Sequence, residues 1–223
     1  MMRRVMTLLL VLMMILGLAC STASAWTITK ADWDKVEVDY GASNWAKSTM
    51  ELAAEAGLIP QLTGNPGFKD TITREQFAEL AVNMVTVALG EAPNAEGAPE
   101  FTDCDNTQVK LAAAAHIVSG VGNNKFNPKA ETNREQIATM VKNSMNYILS
   151  ETGVDLAPNQ GSLDSYNDKA QVSRWAVPGM EALTANGIMS GTGGNNLSPK
   201  RSCTVEQSIF MLYQVYANYM EMK

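Results

Sequence analysis

The chain has 223 residues, of which 46% are hydrophobic and 18% are charged, and its formal net charge is −6. This composition is typical of a folded protein of one or two domains, so the sequence does not predict a disordered chain. The excess of acidic residues argues against nucleic acid as a partner, because neutralising phosphates requires a basic surface.

The N-terminal residues have the parts of a secretory signal. Two arginines precede an apolar run over residues 5–19, and the small residues Ala23-Ser24-Ala25 follow it. A membrane-spanning helix needs roughly 20 apolar residues, so this shorter run favours cleavage after residue 25. An uncleaved anchor and a lipoprotein signal at Cys20 are the alternatives. Removing residues 1–25 leaves 15 basic and 23 acidic side chains and a net charge of −8.

One ten-residue phrase occurs three times: TITREQFAEL at 71–80, ETNREQIATM at 131–140 and SCTVEQSIFM at 202–211. From each phrase onward, mostly apolar residues recur at steps of 3, 4, 7 and 11, which predicts a helix with one buried face. A capping residue precedes each helix, with glutamine three positions later, as a reciprocal cap requires. The pairs are Thr73 with Gln76, Asn133 with Gln136, and Thr204 with Gln207.

A shorter, alanine-rich helical pattern precedes each phrase. It ends at Gly57 and Gly187, where a left-handed residue costs little, and His116 stands at the corresponding point of the second copy. A loop of glycine and asparagine follows, and one apolar residue closes it: Phe68, Phe126 or Leu197.

The chain is therefore predicted to contain three helix-loop-helix units, because one helix pair cannot bury its apolar faces alone. The helices are expected near residues 43–89, 106–149 and 172–220. Linkers rich in proline, glycine and small polar residues separate the units. The predicted organisation is a signal peptide at 1–25, repeats at 26–90, 101–149 and 166–223, and linkers at 91–100 and 150–165.

These repeats resemble the S-layer homology family. The resemblance covers residues from about 38 to 220, and the stretch WAVPGMEALTANGIMSGTGGNNLSP at 175–199 follows the family pattern almost throughout. The copies open at Val38-Asp39-Tyr40, Phe101-Thr102-Asp103 and Tyr166-Asn167-Asp168. The resemblance implies an all-α fold. Its three repeats would form a pseudo-threefold spindle around a central three-helix bundle, with grooves between neighbours.

The resemblance also implies a function. Members of the family hold exported proteins non-covalently on the bacterial cell wall by binding a secondary cell wall polysaccharide, commonly one whose terminal sugar carries a pyruvate ketal. The implied location is the cell wall or S-layer, and other surface-layer proteins are further candidate partners. No cofactor is implied. The alternative is a diverged scaffold or adaptor that binds a protein partner at the cell surface.

Carried over by position, the candidate binders of the ketal carboxylate are Arg74 and Arg134. A guanidinium group binds two oxygens at once, and a helix N-terminus favours an anion. Asp39, Asp103 and Asp168 would accept hydrogen bonds from sugar hydroxyls or hold the arginines in place; capping of helices is the plainer alternative. Both arginines are expected to be exposed, so that their loss would barely change folding.

Four further residues are candidates with a plainer alternative. Trp45 and Trp175 would pack against a sugar face, or belong to the core as a tryptophan on an apolar helical face usually does. Gly57 and Gly187 would bring backbone near the ligand, or only end their helices.

The second and third copies depart from the family pattern. Val205 stands where the third copy should carry arginine, and Val109 occupies the neighbourhood of the missing tryptophan in the second. One groove is therefore predicted to lack its cation.

The remaining reactive residues predict no catalytic or metal site. His116 is the only histidine, and no spacing of histidine and cysteine suits a metal. Cys104 and Cys203 lie at positions that line the grooves in the family, so the resemblance allows a disulfide between them; two free thiols are equally compatible with the sequence.

Overall fold

The computed structural model describes residues 41–223, and within this range the protein is built from helices and loops. The helices are α1 (Lys47–Glu55), α2 (Arg74–Leu89), α3 (Thr107–Ala114), α4 (Arg134–Thr152), α5 (Val177–Ala185) and α6 (Val205–Met222). Two 3₁₀ turns, Lys169–Gln171 and Arg174–Ala176, precede α5. Pairing of extended backbone in this range consists of isolated bridges. The predicted all-α class is confirmed, while the predicted signal peptide and Asp39 lie outside the described residues.

The helices alternate between short and long, and the three pairs coincide with the predicted units. We call α1 with α2 unit 1, α3 with α4 unit 2, and α5 with α6 unit 3. The limits of the repeats and linkers stay a prediction, because the helices alone do not define them.

Every long helix begins with the predicted reciprocal cap. At α2 the Thr73 N–H donates to Gln76 Oε1 over 2.9 Å, and the Gln76 N–H donates to Thr73 Oγ1 over 3.3 Å. The same pair of bonds starts α4 and α6. Left-handed glycines end the first two long helices, at Gly90 with φ 85° and Gly153 with φ 76°. Local sequence therefore sets the limits of these helices.

The three long helices contact one another and form the centre of the molecule. The residues predicted to form their buried faces are all at most 5% exposed. They are Phe77, Leu80, Ala81, Met84 and Ala88 in α2; Ile137, Met140, Val141, Ser144 and Ile148 in α4; and Ser208, Met211, Leu212, Val215 and Tyr219 in α6. The predicted central bundle is confirmed.

Each short helix packs against the long helix of the preceding unit. Helix α3 contacts α2, α5 contacts α4, and α1 contacts α6, which closes the circle from unit 3 back to unit 1. Between the two helices of any one pair, the described backbone makes no comparable contact. The packed element therefore combines residues from two consecutive units, and no unit buries its short helix by itself.

A cycle of three backbone hydrogen bonds joins the units just before their long helices. The Ile72 N–H donates to Cys203 O, the Cys203 N–H donates to Thr132 O, and the Thr132 N–H donates to Ile72 O, each over 3.0 Å. Equivalent residues of the three units thus occupy equivalent places, which is the predicted pseudo-threefold arrangement.

The first-turn amides of each long helix bond to the next unit. The Arg74 N–H donates to Ala130 O over 2.9 Å, and the Glu75 N–H donates to Pro128 O over 3.1 Å. Helix α4 makes the same pair of bonds to Arg201 O and Pro199 O, and α6 makes it to Asp70 O and Phe68 O. Such amides have no partner within their own helix, so the neighbouring loop supplies what each helix start requires.

A buried or half-buried glutamate follows position 74, 134 or 205 in the three phrases. Its carboxylate bonds to the same next unit as the first-turn amides. Glu206 accepts from the Ser43 N–H over 2.8 Å and from Ser43 Oγ over 2.7 Å, just before α1. Glu135 accepts from the N–H and Oγ of Ser173 over 2.9 and 3.0 Å. Glu75 accepts from the Asn106 side chain over 2.9 Å. Each glutamate therefore holds the start of the short helix that packs on its own long helix.

The disulfide considered from the sequence is absent, because both cysteines are free thiols. Cys203 belongs to the central cycle of backbone bonds, is fully buried, and has its sulfur 3.7 Å from Ser208 Oγ. Burial raises the pKa of the Cys203 thiol to about 11, so the thiol is neutral at ordinary pH. Cys104 is half-buried and belongs to the opening turn of unit 2, where it bridges to Phe101. The two cysteines therefore lie in separate parts of the structure.

The substitution Glu206→Ala tests whether the circle of units is closed. Because Glu206 is 3% exposed and accepts two hydrogen bonds, its loss should lower the free energy of unfolding by roughly 1.5–3 kcal/mol. Hydrogen exchange should become faster at residues 47–55 and stay unchanged at 107–114. Glu221→Ala, which removes an exposed carboxylate from the same helix, is the control. If hydrogen exchange at residues 47–55 in Glu206→Ala stayed as slow as in the original chain, the closed circle would be contradicted.

Candidate functional site

The two candidate arginines extend from their helices into the loop of the next unit. Arg74 Nε donates to Phe126 O over 2.9 Å and Nη2 donates to Ser119 O over 2.6 Å. The Arg74 guanidinium also lies 4.6 Å from the centre of the Phe126 ring, within the range of a cation–π contact. This arginine therefore joins unit 1 to unit 2.

Arg134 repeats this arrangement between units 2 and 3. Its Nε donates to Leu197 O over 2.9 Å and its Nη2 donates to Ser190 O over 2.7 Å. Arg134 is only 6% exposed, and Arg74 is partly buried. The expectation that both are exposed residues without a structural role is therefore wrong. Periodicity predicted a first-turn position but gave no information about the loop that covers it.

The opening aspartates bind the same loop residues as the arginines. Asp103 accepts from the N–H groups of Phe126 and Asn127 over 2.8 and 3.0 Å. Asp168 accepts from the N–H groups of Leu197 and Ser198 over 2.8 and 2.7 Å. The bond from the Phe126 amide is the main cause of a lowered pKa at the Asp103 carboxyl. These carboxylates thus fix the loops whose carbonyls receive the arginines.

In unit 1 an aspartate within the loop itself also accepts a backbone amide. There the Gly67 N–H donates to Asp70 Oδ2 over 2.8 Å. The place of Asp39 in this arrangement lies outside the described residues.

Burial lowers the pKa of both guanidinium groups from its ordinary value. The charge of Asp103 opposes this effect at Arg74, whereas the positive charge of Arg201 lowers the pKa of Arg134 further. Arginine stays protonated in proteins, so the lowered pKa means that each cation is held where its charge is poorly solvated. A guanidinium has five N–H donors, and the two bonds described for each leave donors for an anion.

A groove of about 290 Å³ lies beside Arg134 and combines residues of all three units. Trp45 comes from unit 1, Arg134 from unit 2, and Ser190 and Phe210 from unit 3. The Trp45 and Phe210 rings meet edge to face with their centres 5.7 Å apart. Further lining residues are Ile188, Met189, Gly191, Thr192, Arg201, Gln207 and Met211. We call the place where the start of a long helix meets the next loop a junction; this one is the Arg134 junction.

Both tryptophans are on the surface, where Trp45 is 53% and Trp175 is 55% exposed. The interpretation that assigned them to the core is therefore wrong. Trp175 follows Ser173 by two residues, as Trp45 follows Ser43, and both serines are held by equivalent glutamates. The pseudo-threefold arrangement thus assigns Trp175 to the Arg74 junction.

The corresponding residue of unit 2 is Gln108, two residues after the cap Asn106. Val109, which the sequence placed in this neighbourhood, is fully buried. The Val205 junction thus has Gln108 in place of tryptophan and valine in place of arginine.

The two candidate glycines end their helices in the left-handed conformation. Gly57 has φ 74° and Gly187 has φ 70°, while His116 takes the same role in unit 2 with φ 56°. The lining of the groove begins at Ile188, one residue beyond Gly187. Their conformation is accounted for by the helix ends that the sequence predicted.

Sequence reasoning missed two sets of residues at the junctions. The glutamates Glu75, Glu135 and Glu206 had a detectable signal, because they are identical in all three phrases. Arg201 had none, because the equivalent residues in the other units are Asp70 and Ala130.

Two classes of feature are missing from residues 41–223. No group of three or more histidine, cysteine, aspartate or glutamate residues lies close enough together there to hold a metal ion. None of the helices in this range combines the length and apolar character that crossing a membrane requires.

Substitution of the two arginines should separate their structural contributions. Arg134→Ala removes a buried cation and leaves two carbonyls without their donor, so the free energy of unfolding should fall by roughly 2–4 kcal/mol. Arg74→Ala should cost less, about 1–2 kcal/mol, because water reaches the more exposed site. Urea denaturation of both variants checks this order, with Arg174→Ala as an exposed control. Unchanged stability of Arg134→Ala would contradict the structural role.

Comparison with known proteins identifies a family signal in two parts of the chain. The S-layer homology domain matches residues 105–138 and 165–204. An endoglucanase of Bacillus sp. (strain KSM-635) is 27% identical over 209 residues, covering 91% of this chain and 21% of the endoglucanase.

Two other relatives match in the same way. The exoglucanase XynX of Acetivibrio thermocellus is 24% identical over 76% of this chain and 15% of its own length. The surface-layer 125 kDa protein of Lysinibacillus sphaericus is 26% identical over 73% of this chain and 13% of its own length. This chain thus spans about a fifth or less of each relative. The family match and the surface-layer relative support an S-layer homology assignment for residues 105–138 and 165–204.

Proposed function

We propose that this protein is a non-catalytic binder of an acidic bacterial cell wall polysaccharide, through which it is held non-covalently at the cell surface. The observation that carries the proposal is the Arg134 junction, where a guanidinium held in place by two carbonyls lies beside an exposed tryptophan in one groove. The proposal includes S-layer homology repeats in all three units and secretion by means of residues 1–25.

The guanidinium of Arg134 is suited to a carboxylate, such as that of a pyruvate ketal on a terminal sugar. Its bonds to Leu197 O and Ser190 O hold the group in one orientation before a ligand arrives. Burial makes the cation poorly solvated, so an anion gains more from it than from an exposed side chain. Charge-assisted hydrogen bonds from a fixed planar group would then select a carboxylate.

Trp45 supplies the apolar part of the same site. More than half of its surface is exposed, while its edge contact with Phe210 keeps the ring in place. Tryptophan has an apolar ring face and a polar N–H group. It therefore suits a sugar, which also has apolar and polar surfaces. Ser190, Thr192 and Gln207 add polar groups able to bond sugar hydroxyls.

The Arg74 junction is proposed as a second site, with Arg74 for the anion and Trp175 for the sugar face. Asp103 and Asp168 act there and at the Arg134 junction by positioning the loops, since both oxygens of each already accept backbone amides. Asp39 is proposed to belong to the same group.

Gly57 and Gly187 are proposed to help only by turning the chain into the groove-lining segment. The left-handed conformation at Gly187 lets its short helix end where the lining of the groove begins, and Gly57 has the same conformation.

The relatives agree with an attachment role. An endoglucanase, an exoglucanase and a surface-layer protein share with this chain a segment that is a small part of each of them. A segment common to such different proteins is better explained by attachment to one surface than by a shared reaction. We therefore propose that the matched region is a module for the cell wall.

Binding to isolated cell wall tests the proposal. The double variant Trp45→Ala/Trp175→Ala should sediment with cell wall at least about tenfold more weakly than the original chain, because both exposed rings are lost. The matched control is Leu149→Ala/Met220→Ala, which removes two exposed apolar side chains from the far parts of α4 and α6. Its melting temperature and its binding should both stay close to those of the original chain.

Stripping the secondary polysaccharide from the wall separates the two candidate functions. The original chain should lose its binding to stripped wall and regain it on purified polysaccharide. Equal binding to stripped and intact wall would contradict the proposal and favour a protein partner.

A further inference from the structure

The three junctions have the same backbone but different charges. In each, the first amide of a long helix donates to one carbonyl of the neighbouring loop, so the residue that carries this carbonyl has the same place in all three. Arg134 N–H bonds to Arg201 O over 3.0 Å, Arg74 N–H to Ala130 O over 2.9 Å, and Val205 N–H to Asp70 O over 3.0 Å.

Side chains at these equivalent places give each junction its own charge. The Arg134 junction pairs two arginines, the Arg74 junction pairs an arginine with alanine, and the Val205 junction pairs valine with aspartate. At these two places the side chains therefore carry two positive charges, one positive charge and one negative charge, respectively. Tryptophan accompanies the first two, whereas Gln108 has that place at the third.

Arg201 is available for a ligand. Its side chain is exposed and lines the same groove as Arg134 and Trp45. Among residues 41–223, its guanidinium has no hydrogen bond or ion pair with another side chain. The positive charge of Arg201 also lowers the pKa of Arg134, so the two cations act on each other across this groove. Two like charges that face one groove are stabilised most by a ligand that carries two anions.

We propose that the Arg134 junction is specific for a glycan end that carries two anionic groups within reach of both guanidinium groups, and that it fills before the Arg74 junction. This inference rests on the proposed function and names the ligand class of one of its sites. One anion, such as a ketal carboxylate, bonds the buried Arg134, and the second bonds the exposed Arg201. The second anion lies on the same sugar or the next one.

The same charges explain why the other two junctions are weaker. A second anion at the Arg74 junction would meet Ala130 and lose water without gaining a cation. At the Val205 junction, Asp70 repels an anion. An arginine introduced at position 205 would also lie near Asp70 and lack a tryptophan partner, so we do not expect Val205→Arg to create a third site.

Calorimetric titration of the full chain with two probes tests the inference. The first probe is a methyl hexoside bearing one pyruvate ketal, which carries one negative charge. The second is the same glycoside with an added sulfate ester, which carries two. The original chain should bind the second probe at one strong site and one weaker site, and it should bind the first probe more weakly.

Two variants and one control identify the residue responsible. Arg201→Gln should weaken the strong site for the two-charge probe by at least about tenfold and change binding of the one-charge probe little. Ala130→Arg should strengthen the second site, so that the two sites become nearly equal. Lys223→Gln removes one positive charge just beyond the C-terminal end of α6 and should change neither titration.

The possible failures point to different conclusions. If the original chain binds neither the probes nor purified wall polysaccharide, the proposed function itself is wrong. If it binds polysaccharide and both probes equally well, and Arg201→Gln has no effect, the two-anion inference is wrong and the proposed function stands. An equal loss in Lys223→Gln would also overturn the inference, because net charge alone would then explain the difference.

Discussion

The unpaired amides at the start of each long helix are the constraint on which the structure depends. A reciprocal cap satisfies some of them, and the next unit supplies carbonyls for others, as Arg74 and Glu75 show with Ala130 and Pro128. A unit taken alone would lose these carbonyls and expose the face on which its neighbour's short helix packs. Three units in a closed circle satisfy the start of every long helix in the same way.

The contacts that close the circle also build the candidate sites. Each candidate arginine stabilises the junction through two carbonyls and still has donors that these bonds do not use. The neighbours of Arg134 come from three units, so its groove exists only when the circle is complete. In the proposed function, binding and folding are therefore coupled at Arg134, whereas Trp45 and Arg201 are exposed enough to be changed for binding alone.

Local patterns in the sequence were sufficient for the helices and insufficient for the junctions. Capping pairs and apolar spacing depend on residues within a few positions, so the long helices and their buried faces followed directly. Burial of Arg134 depends on Leu197 and Ser190, which lie in another unit, and no local pattern reports such a contact. For the same reason the sequence could not decide between an exposed and a core position for Trp45 and Trp175. The pairing of each short helix with the preceding unit also escaped prediction, because all three copies have the same pattern.

Nuclear magnetic resonance of the tryptophan indole groups tests the central claim that the junctions between units bind the wall polymer. The indole N–H signals of Trp45 and Trp175, assigned with Trp→Phe variants, would be followed while purified polysaccharide fragments are added. We expect both signals to shift, with Trp45 shifting at the lower concentration. Saturable binding of the fragments with both signals unchanged would contradict the account, because the ligand would then lie away from the junctions.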